Sequence, residues 1–413
     1  MNRRESERVG GAGTAETSAP QGGQRVGVVL SGAAGRGPYQ AGALAELLPA
    51  LEANRHRPVV LLGTSSGAIT AALYAQSAHQ PPAVAGQSVI NAWVNFGDVF
   101  RNPLCNFKLA RLLARLLPRP TQWLLARLGA GGLVAPVDAL LDTTPLHQRA
   151  SNLFQPRMVA NNIRNGLIDS LAVAATVCPE AGSAARSRLF VQGKPPGRAP
   201  RSRTVDVVPV SLTVDHLLAS AAIPGLFPPV YLNNPPPSAG YYIDGGVRLN
   251  APFDTALAMD IDRLVVISGH SLSPSTISPA GPGAPPDLAA TTAIALRAVL
   301  TDALSDDLDA LRRNNANAKA SRAARRRSPY KEVPHLVVAP QDGELAMVAA
   351  STFRPRVPMD PYWAIGLLLD TLGMGSGRNE LLSLIFFNRE YARELVARGR
   401  KHAKDALGKG WQT

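Results

Sequence analysis

Short apolar runs alternate with helically spaced apolar positions through the first part of the chain. RVGVVLSG, starting at Arg25, is a β-branched run that ends in a glycine turn, and PYQAGALAELLPALEA follows with apolar residues at helical spacing. The reading is strand, glycine loop, helix, with Pro38 at the first helical position, where a missing N–H costs nothing. A second such unit follows directly. PVVLLGT is a continuous apolar run suited to a strand buried on both faces, and SGAITAALYAQSA after it is helical in pattern. Two strand–turn–helix units this close predict parallel strands in a layered α/β fold, with ligands gathering at the carboxyl ends of the strands.

Further strands are predicted over residues 171–177, 188–192, 205–213, 263–268 and 335–339. GKPPGRAPRSR, between the second and third of these, reads as an exposed basic hairpin loop, and SLSPSTISPAGPGAPP, 271–286, as a flexible loop. From about Gln341 the pattern turns helical, with a weak break near GMGSGRN, and no internal repeat is present. The expected architecture is a three-layer α/β/α fold with a mainly parallel central sheet over 25–340. A disordered leader, 1–24, precedes it and a helical C-terminal extension, 341–413, follows.

Composition narrows the class. With 46% hydrophobic residues in 413, the chain can bury a large core, and its 36 glycines and 35 prolines fall short of a low-complexity composition. Two cysteines, Cys105 and Cys178, are too few for a disulfide framework or a structural zinc site, so reduced thiols and no metal are expected. The N-terminal segment has no apolar core, hence no secretory signal is recognised, and no run of about 18 apolar residues marks a spanning helix. A cytoplasmic or peripheral membrane protein is the expectation. The net charge of +13 points to an anionic partner or to compositional bias, since 36 of the 43 cations are arginine.

Three segments carry candidate chemistry. GTSSG, Gly63 to Gly67, fits G-x-S-x-G between a strand and a helix, where a sharp turn lifts Ser65 out as a nucleophile above a helix N-terminus. SGAAGRG, Ser31 to Gly37, can offer backbone N–H groups to an oxyanion; its competing reading as a dinucleotide loop is opposed by Ala34 at the third position and by the lack of an acid about 20 residues on. YYIDGGVRLNAP puts Asp244 after a strand-like run and before Gly245 and Gly246, a pattern that on its own often means only a turn. Serine needs a base. Of seven histidines, His270, His335 and His402 follow Asp244 as a Ser–Asp–His order would require, and His270, at the end of RLVVISG, is the best placed.

With these residues in view, the chain resembles the patatin-like phospholipase family at four ordered places within 25–252. LSGAAGRGPYQAGAL is similar to its oxyanion motif, GTSSGAIT to its nucleophile elbow, ASAAIPGLFPPV to the segment before its third motif, and IDGGVRLNAP to its aspartate motif. The resemblance implies a Ser65–Asp244 dyad working through an acyl-enzyme, with no histidine, calcium or other cofactor. It also implies an oxyanion hole from Gly32, Ala33, Ala34 and Gly35, supported by Arg36, Gly37, Gly63, Gly67, Gly245 and Gly246, with Arg36 holding the loop. The family pattern commonly has glycine where Ala33 and Ala34 stand, and alanine would strain the loop if either position needed positive φ.

The implied substrate is a phospholipid, lysophospholipid or other acyl ester lipid. FKLARLLARLL, 107–117, gathers its leucines on one face and its cations on another, as a lipid-interface helix, a lid or a surface helix would. RRNNANAKASRAARRRSPYK, 312–331, holds eight cations and no acid, with almost no aromatic residue for base stacking, so anionic headgroups suit it better than nucleic acid. Two other readings stay open: a weakly active or inactive lipid-binding, membrane-docking protein on the same scaffold, and a histidine-assisted carboxylesterase.

Overall fold

Strands β1 (Gln24–Leu30) and β2 (His56–Thr64) run parallel, paired from Gln24 with His56 to Leu30 with Gly63, and the glycine loop and helix α1 (Gly37–Ala53) connect them. The computed structural model describes residues 22–96, 117–130, 139, 144–179, 184–198, 204–273, 277, 285–324, 331–355 and 362–413. After β2 come α2 (Ser66–Ser77), α3 (Pro82–Phe96), α4 (Arg119–Leu125), α5 (Thr144–Leu153) and α6 (Pro156–Arg164). The chain then returns to the sheet as β3 (Ser170–Val177), parallel to β2, and β4 (Ser187–Gly193), antiparallel to β3. β5 (Val205–Pro209), β6 (Val230–Leu232), β7 (Gly240–Asp244), β8 (Arg263–Ile267) and β9 (His335–Val338) complete a sheet of order β5-β4-β3-β2-β1-β8-β9, with the β6–β7 hairpin attached to β3.

The sheet is mainly parallel, as the two strand–turn–helix units predicted, but one connection differs. β4 and β5 pair in parallel, Ser187 with Val205 through Val191 with Pro209, so GKPPGRAPRSR is a return crossover and not a hairpin loop. Gly193, at φ +101°, turns the chain off the strand end, and the N–H groups of Lys194 and Gly197 bond to the carbonyls of Asp169 and Ala258 along the way. β5 also stops at Pro209, short of the expected 213. Thr213 instead caps helix α7 (Val214–Ser220) in a reciprocal box with His216.

Side-chain alternation along the central strands sorts residues into two cores. Val28, Leu30, Leu61, Leu171 and Val173 face one layer with α1, α2, α3 and the C-terminal helices, while Val29, Val60, Leu62, Ala172 and Ala174 face the other. Helices α8 (Phe253–Ala258) and α9 (Leu288–Ala323) cover that second face, where Leu304, Leu308 and Leu311 of α9 recur at helical spacing. α9 has no counterpart among the predicted elements, because apolar and small residues surround its first half and no single-face spacing marks it. By length and composition it alone among the described helices could cross a membrane, with 33% of its apolar window buried inside the fold.

After β9 come α10 (Glu344–Thr352), α11 (Trp363–Leu372), α12 (Ser376–Ile385) and α13 (Arg389–Lys409), with the break between α11 and α12 at Gly373 to Gly375. These helices share the first core. α13 lies along α1 so closely that a Cβ at Gly399 would stand 2.0 Å from the Tyr39 carbonyl oxygen. Cys178 is a free, half-buried thiol whose pKa burial raises, and Cys105 lies outside the described residues.

Candidate active site

Ser65 sits between β2 and α2 at φ +54° and ψ −126°, a conformation that L-residues adopt only under constraint. The constraint is visible on both sides. A Cβ at Gly63 would lie 2.4 Å from the Gly67 carbonyl oxygen, and one at Gly67 would lie 2.3 Å from that of Leu30. Only glycine at these two positions lets β2 turn into α2 this tightly against β1. The Ser65 N–H donates to Ser220 Oγ at 2.9 Å, and Ser220 Oγ donates to the Ala174 carbonyl at 2.6 Å, so α7 fastens the turn to β3.

Sheet register brings the aspartate to the serine. β2 pairs with β3 up to Thr64 opposite Ala174, and β7 takes over the same edge of β3 one residue later, with Asp244 opposite Ala175. Asp244 therefore follows on directly where β2 leaves the sheet. Its carboxylate accepts the Gly246 N–H at 2.6 Å and lies near enough to the Ser65 side chain for that group to favour the ionised form. Burial nevertheless dominates and pushes its pKa up to about 6, against the opposing pull of Ser65 and the Gly246 N–H. The Asp244 N–H bonds to the Ala222 carbonyl at 2.8 Å. ASAAIPG thus holds both residues, Ser65 through Ser220 and Asp244 through Ala222.

The glycine loop lies beside this pair. The Gly32 N–H is used by the Asn250 carbonyl at 3.0 Å and the Ala33 N–H by Ser66 Oγ at 3.0 Å, which leaves the Ala34 and Gly35 N–H groups without a partner among the described residues. Ala33 is at φ −147°, but Ala34 is at φ +48°. The concern about alanine thus falls on one position, where the left-handed backbone costs about 1–2 kcal/mol for a residue with a Cβ. Ala34, Ser65 and Ser66 line one cavity of about 30 Å³ with Ile69, Trp93, Phe96, Leu146, Ile223, Phe227 and Phe387. Its walls are apolar. The volume is far below the roughly 300–1,000 Å³ of a pocket that encloses a drug-sized ligand.

No histidine lines that cavity. His270, the best-placed candidate by sequence, is buried with Nδ1 3.1 Å from the Arg36 guanidinium, which makes that nitrogen an acceptor. Burial first, then the charges of Arg36 and Arg297, holds its pKa well below normal, so the ring is neutral. His335 is buried in β9, and His402 bonds Tyr39 and Glu344 between α1, α10 and α13.

The model of the family "Patatin-like phospholipase" matches residues 28–257, a span containing the loop, the elbow, the ASAAIPG segment and Asp244. The chain belongs to that family. No curated protein matches the sequence. Among solved structures, the crystal structure of VipD from Legionella pneumophila is similar at 13% identity and a TM-score of 0.34, over 96% of this chain and 68% of that one.

In this patatin-like protein the sequence motifs marked Ser65, Asp244 and the glycine loop, which the fold brings together, and missed the groups that anchor them. Ser66, Ser220 and Asn250 were within or beside the quoted motifs, but their roles are hydrogen bonds to distant backbone that no local pattern displays. Gly245 and Gly246 are confined, the first with a would-be Cβ 2.4 Å from the Ala174 carbonyl oxygen, the second between Asn250 and Asp244 side chains. Gly37 is equally crowded by Trp93, at 2.3 Å. Of the cationic segment 107–117 only Leu117 is described, and 325–330 of the second basic stretch also lies outside the described residues.

Proposed function

We propose that the chain is a lipid acyl ester hydrolase of the phospholipase A or lysophospholipase type, working at a lipid surface through a Ser65–Asp244 dyad. The observation that carries this reading is the sheet register that sets the buried Asp244 beside Ser65, with Ser65 opening onto a cavity that no histidine lines. In the ionised form Asp244 accepts the Ser65 proton as Oγ attacks the ester carbonyl. The negative charge of the tetrahedral intermediate falls to the free N–H groups of Ala34 and Gly35, and the α2 N-terminus adds its dipole. Collapse breaks the ester bond, the leaving alcohol takes the proton from Asp244, and the acyl group stays on Ser65. Water then attacks the acyl-enzyme and gives a proton to Asp244; as the acyl–Oγ bond breaks, Ser65 Oγ takes that proton back, releasing the fatty acid and restoring the ionised Asp244. A carboxylate is a weak base toward a hydroxyl, so the chemistry depends on the oxyanion donors as much as on the base.

The test is active-site labelling of the folded protein with a fluorophosphonate, which reacts only with an activated serine. Labelling is expected in wild type and in His270→Ala, and lost in Ser65→Ala and Asp244→Asn. Failure of wild type to label would leave the lipid-binding, non-catalytic reading, which the small cavity and the left-handed Ala34 favour. Loss of labelling in His270→Ala with retention in Asp244→Asn would instead support the histidine-assisted esterase. Mass spectrometry of fatty acids and lysolipids released from a mixed lipid extract identifies the substrate class.

A further inference from the structure

Arg36 is the only long side chain between Gly32 and Gly37, and it points away from the Ser65 cavity into the C-terminal helices. It is 3% exposed. One terminal nitrogen lies 2.7 Å from Glu380 Oε1, and the guanidinium donates to Ser383 Oγ at 2.5 and 3.1 Å. The other terminal nitrogen faces the Gly269 carbonyl at 3.3 Å and His270 Nδ1 at 3.1 Å. Glu380 and Ser383 both belong to α12 and are buried, and Ser383 Oγ donates in turn to the Glu380 carbonyl at 2.6 Å. The α12 backbone also presses on the loop, since a Cβ at Gly35 would lie 2.8 Å from the Leu384 carbonyl oxygen. Every one of these partners of Arg36 and Gly35 lies beyond residue 257, where the family match ends.

Arg36 follows Ala34 by two residues, and Ala34 holds a left-handed conformation that an alanine leaves when it is free to. We infer that Glu380 and Ser383 are positioning residues for the oxyanion loop: through Arg36 they hold Ala34, which lines the Ser65 cavity, in its strained conformation, and with it the unbonded Ala34 and Gly35 N–H groups. α12 is then part of the catalytic unit. The inference rests on the serine hydrolase reading for its effect on rate, and on loop geometry alone for its effect on backbone protection.

Both are measured on the full-length chain. In Glu380→Gln, kcat for the soluble ester p-nitrophenyl butyrate is expected to fall on the order of 10-fold to 100-fold, less than the roughly 10²–10³-fold for a donor removed outright, with KM within about 2-fold. Amide hydrogen exchange over 31–40 is expected to speed up in the same variant, a readout that does not require an active serine. Adding Ala34→Gly to Glu380→Gln is expected to restore part of kcat, because glycine holds positive φ without a clamp. The pair Arg36→Met with Glu380→Met removes both charges together, so it separates lost positioning from an unpaired buried ion. It is expected to fold and still react slowly. Wild-type exchange over 31–40 in Glu380→Gln would overturn the inference, as would wild-type kcat in the Met pair or a loss of kcat that tracks Tm and that Ala34→Gly does not recover. Absent wild-type labelling by fluorophosphonate would sink the hydrolase reading alone, and exchange would still decide the clamp.

Discussion

At Asp244 burial and hydrogen bonding pull in opposite directions, and burial wins. A carboxyl whose folded pKa is about 6, against about 4 unfolded, binds its proton more tightly in the native state. Its contribution to stability is therefore fully present below about pH 4 and declines as pH rises toward 6, with about 3 kcal/mol lost above that. Asp244→Asn is expected to melt higher than wild type at pH 8, with the gap closing toward pH 4, while hydrolysis falls by about 10²–10⁴-fold. On the proposed dyad, the acid limb of kcat/KM is expected at the same value, with activity rising through about pH 6 as Asp244 ionises. A limb near pH 4, or a less stable Asp244→Asn at pH 8, would contradict the burial argument. Ser220→Ala tests the anchor: it strips the buried Ser65 N–H of its acceptor, expected to cost about 1–3 kcal/mol by denaturant titration and to slow labelling. Ser65 and Asp244 were legible in the sequence because glycine spacing marks them. Ser220 was not, because its partners, Ser65 and Ala174, are remote in sequence.

The strand–elbow–helix unit depends on two glycines for contact and on one serine for strain. Gly67→Ala is expected to lower Tm by several degrees and abolish labelling, since the new methyl meets the Leu30 carbonyl and the Ser31 carbonyl of the neighbouring strand end, and overpacking of this kind costs about 1–3 kcal/mol. A wild-type melt with full labelling would show that the elbow has more room than this. The unit was readable beforehand because a continuous apolar run, a glycine turn and helical spacing each required the next. Elsewhere local pattern failed for physical reasons. The parallel β4–β5 pairing is decided by where the crossover returns, which basic loop composition does not encode. The placement of β7 on β3, which delivers Asp244, is a matter of register between segments far apart in the chain. α9 escaped notice because its first half is apolar on too many sides.

For the whole molecule, charge and exposed apolar surface make separable demands on a lipid-surface protein. The chain carries +13, and α4 buries none of its residues: Trp123 is 61% exposed beside Leu124 and Leu128, with the Arg127 guanidinium over the Trp123 ring. α11 likewise exposes Trp363, Leu367 and Leu368, its one acid, Asp370, is paired with Arg378, and Tyr362 at its start bonds the carbonyl of Phe387 in the cavity wall. On the proposed reading, cations supply attraction to anionic headgroups and the tryptophans supply insertion. Sedimentation with phosphatidylserine-containing vesicles is expected to exceed that with phosphatidylcholine alone, and to weaken from 0.1 M to 1 M salt as the screening length shrinks from about 10 to 3 Å. Trp123→Ala, at an exposed position where stability should move by no more than about 0.5 kcal/mol, is expected to weaken binding to both vesicle types by a similar factor. Charge sets the difference between the vesicles, and the ring sets the level common to both. Equal binding to the two, unaffected by salt, would remove the electrostatic part of the proposal; unchanged binding in Trp123→Ala would remove α4 from the docking face and leave α11, where Trp363→Ala is the corresponding test.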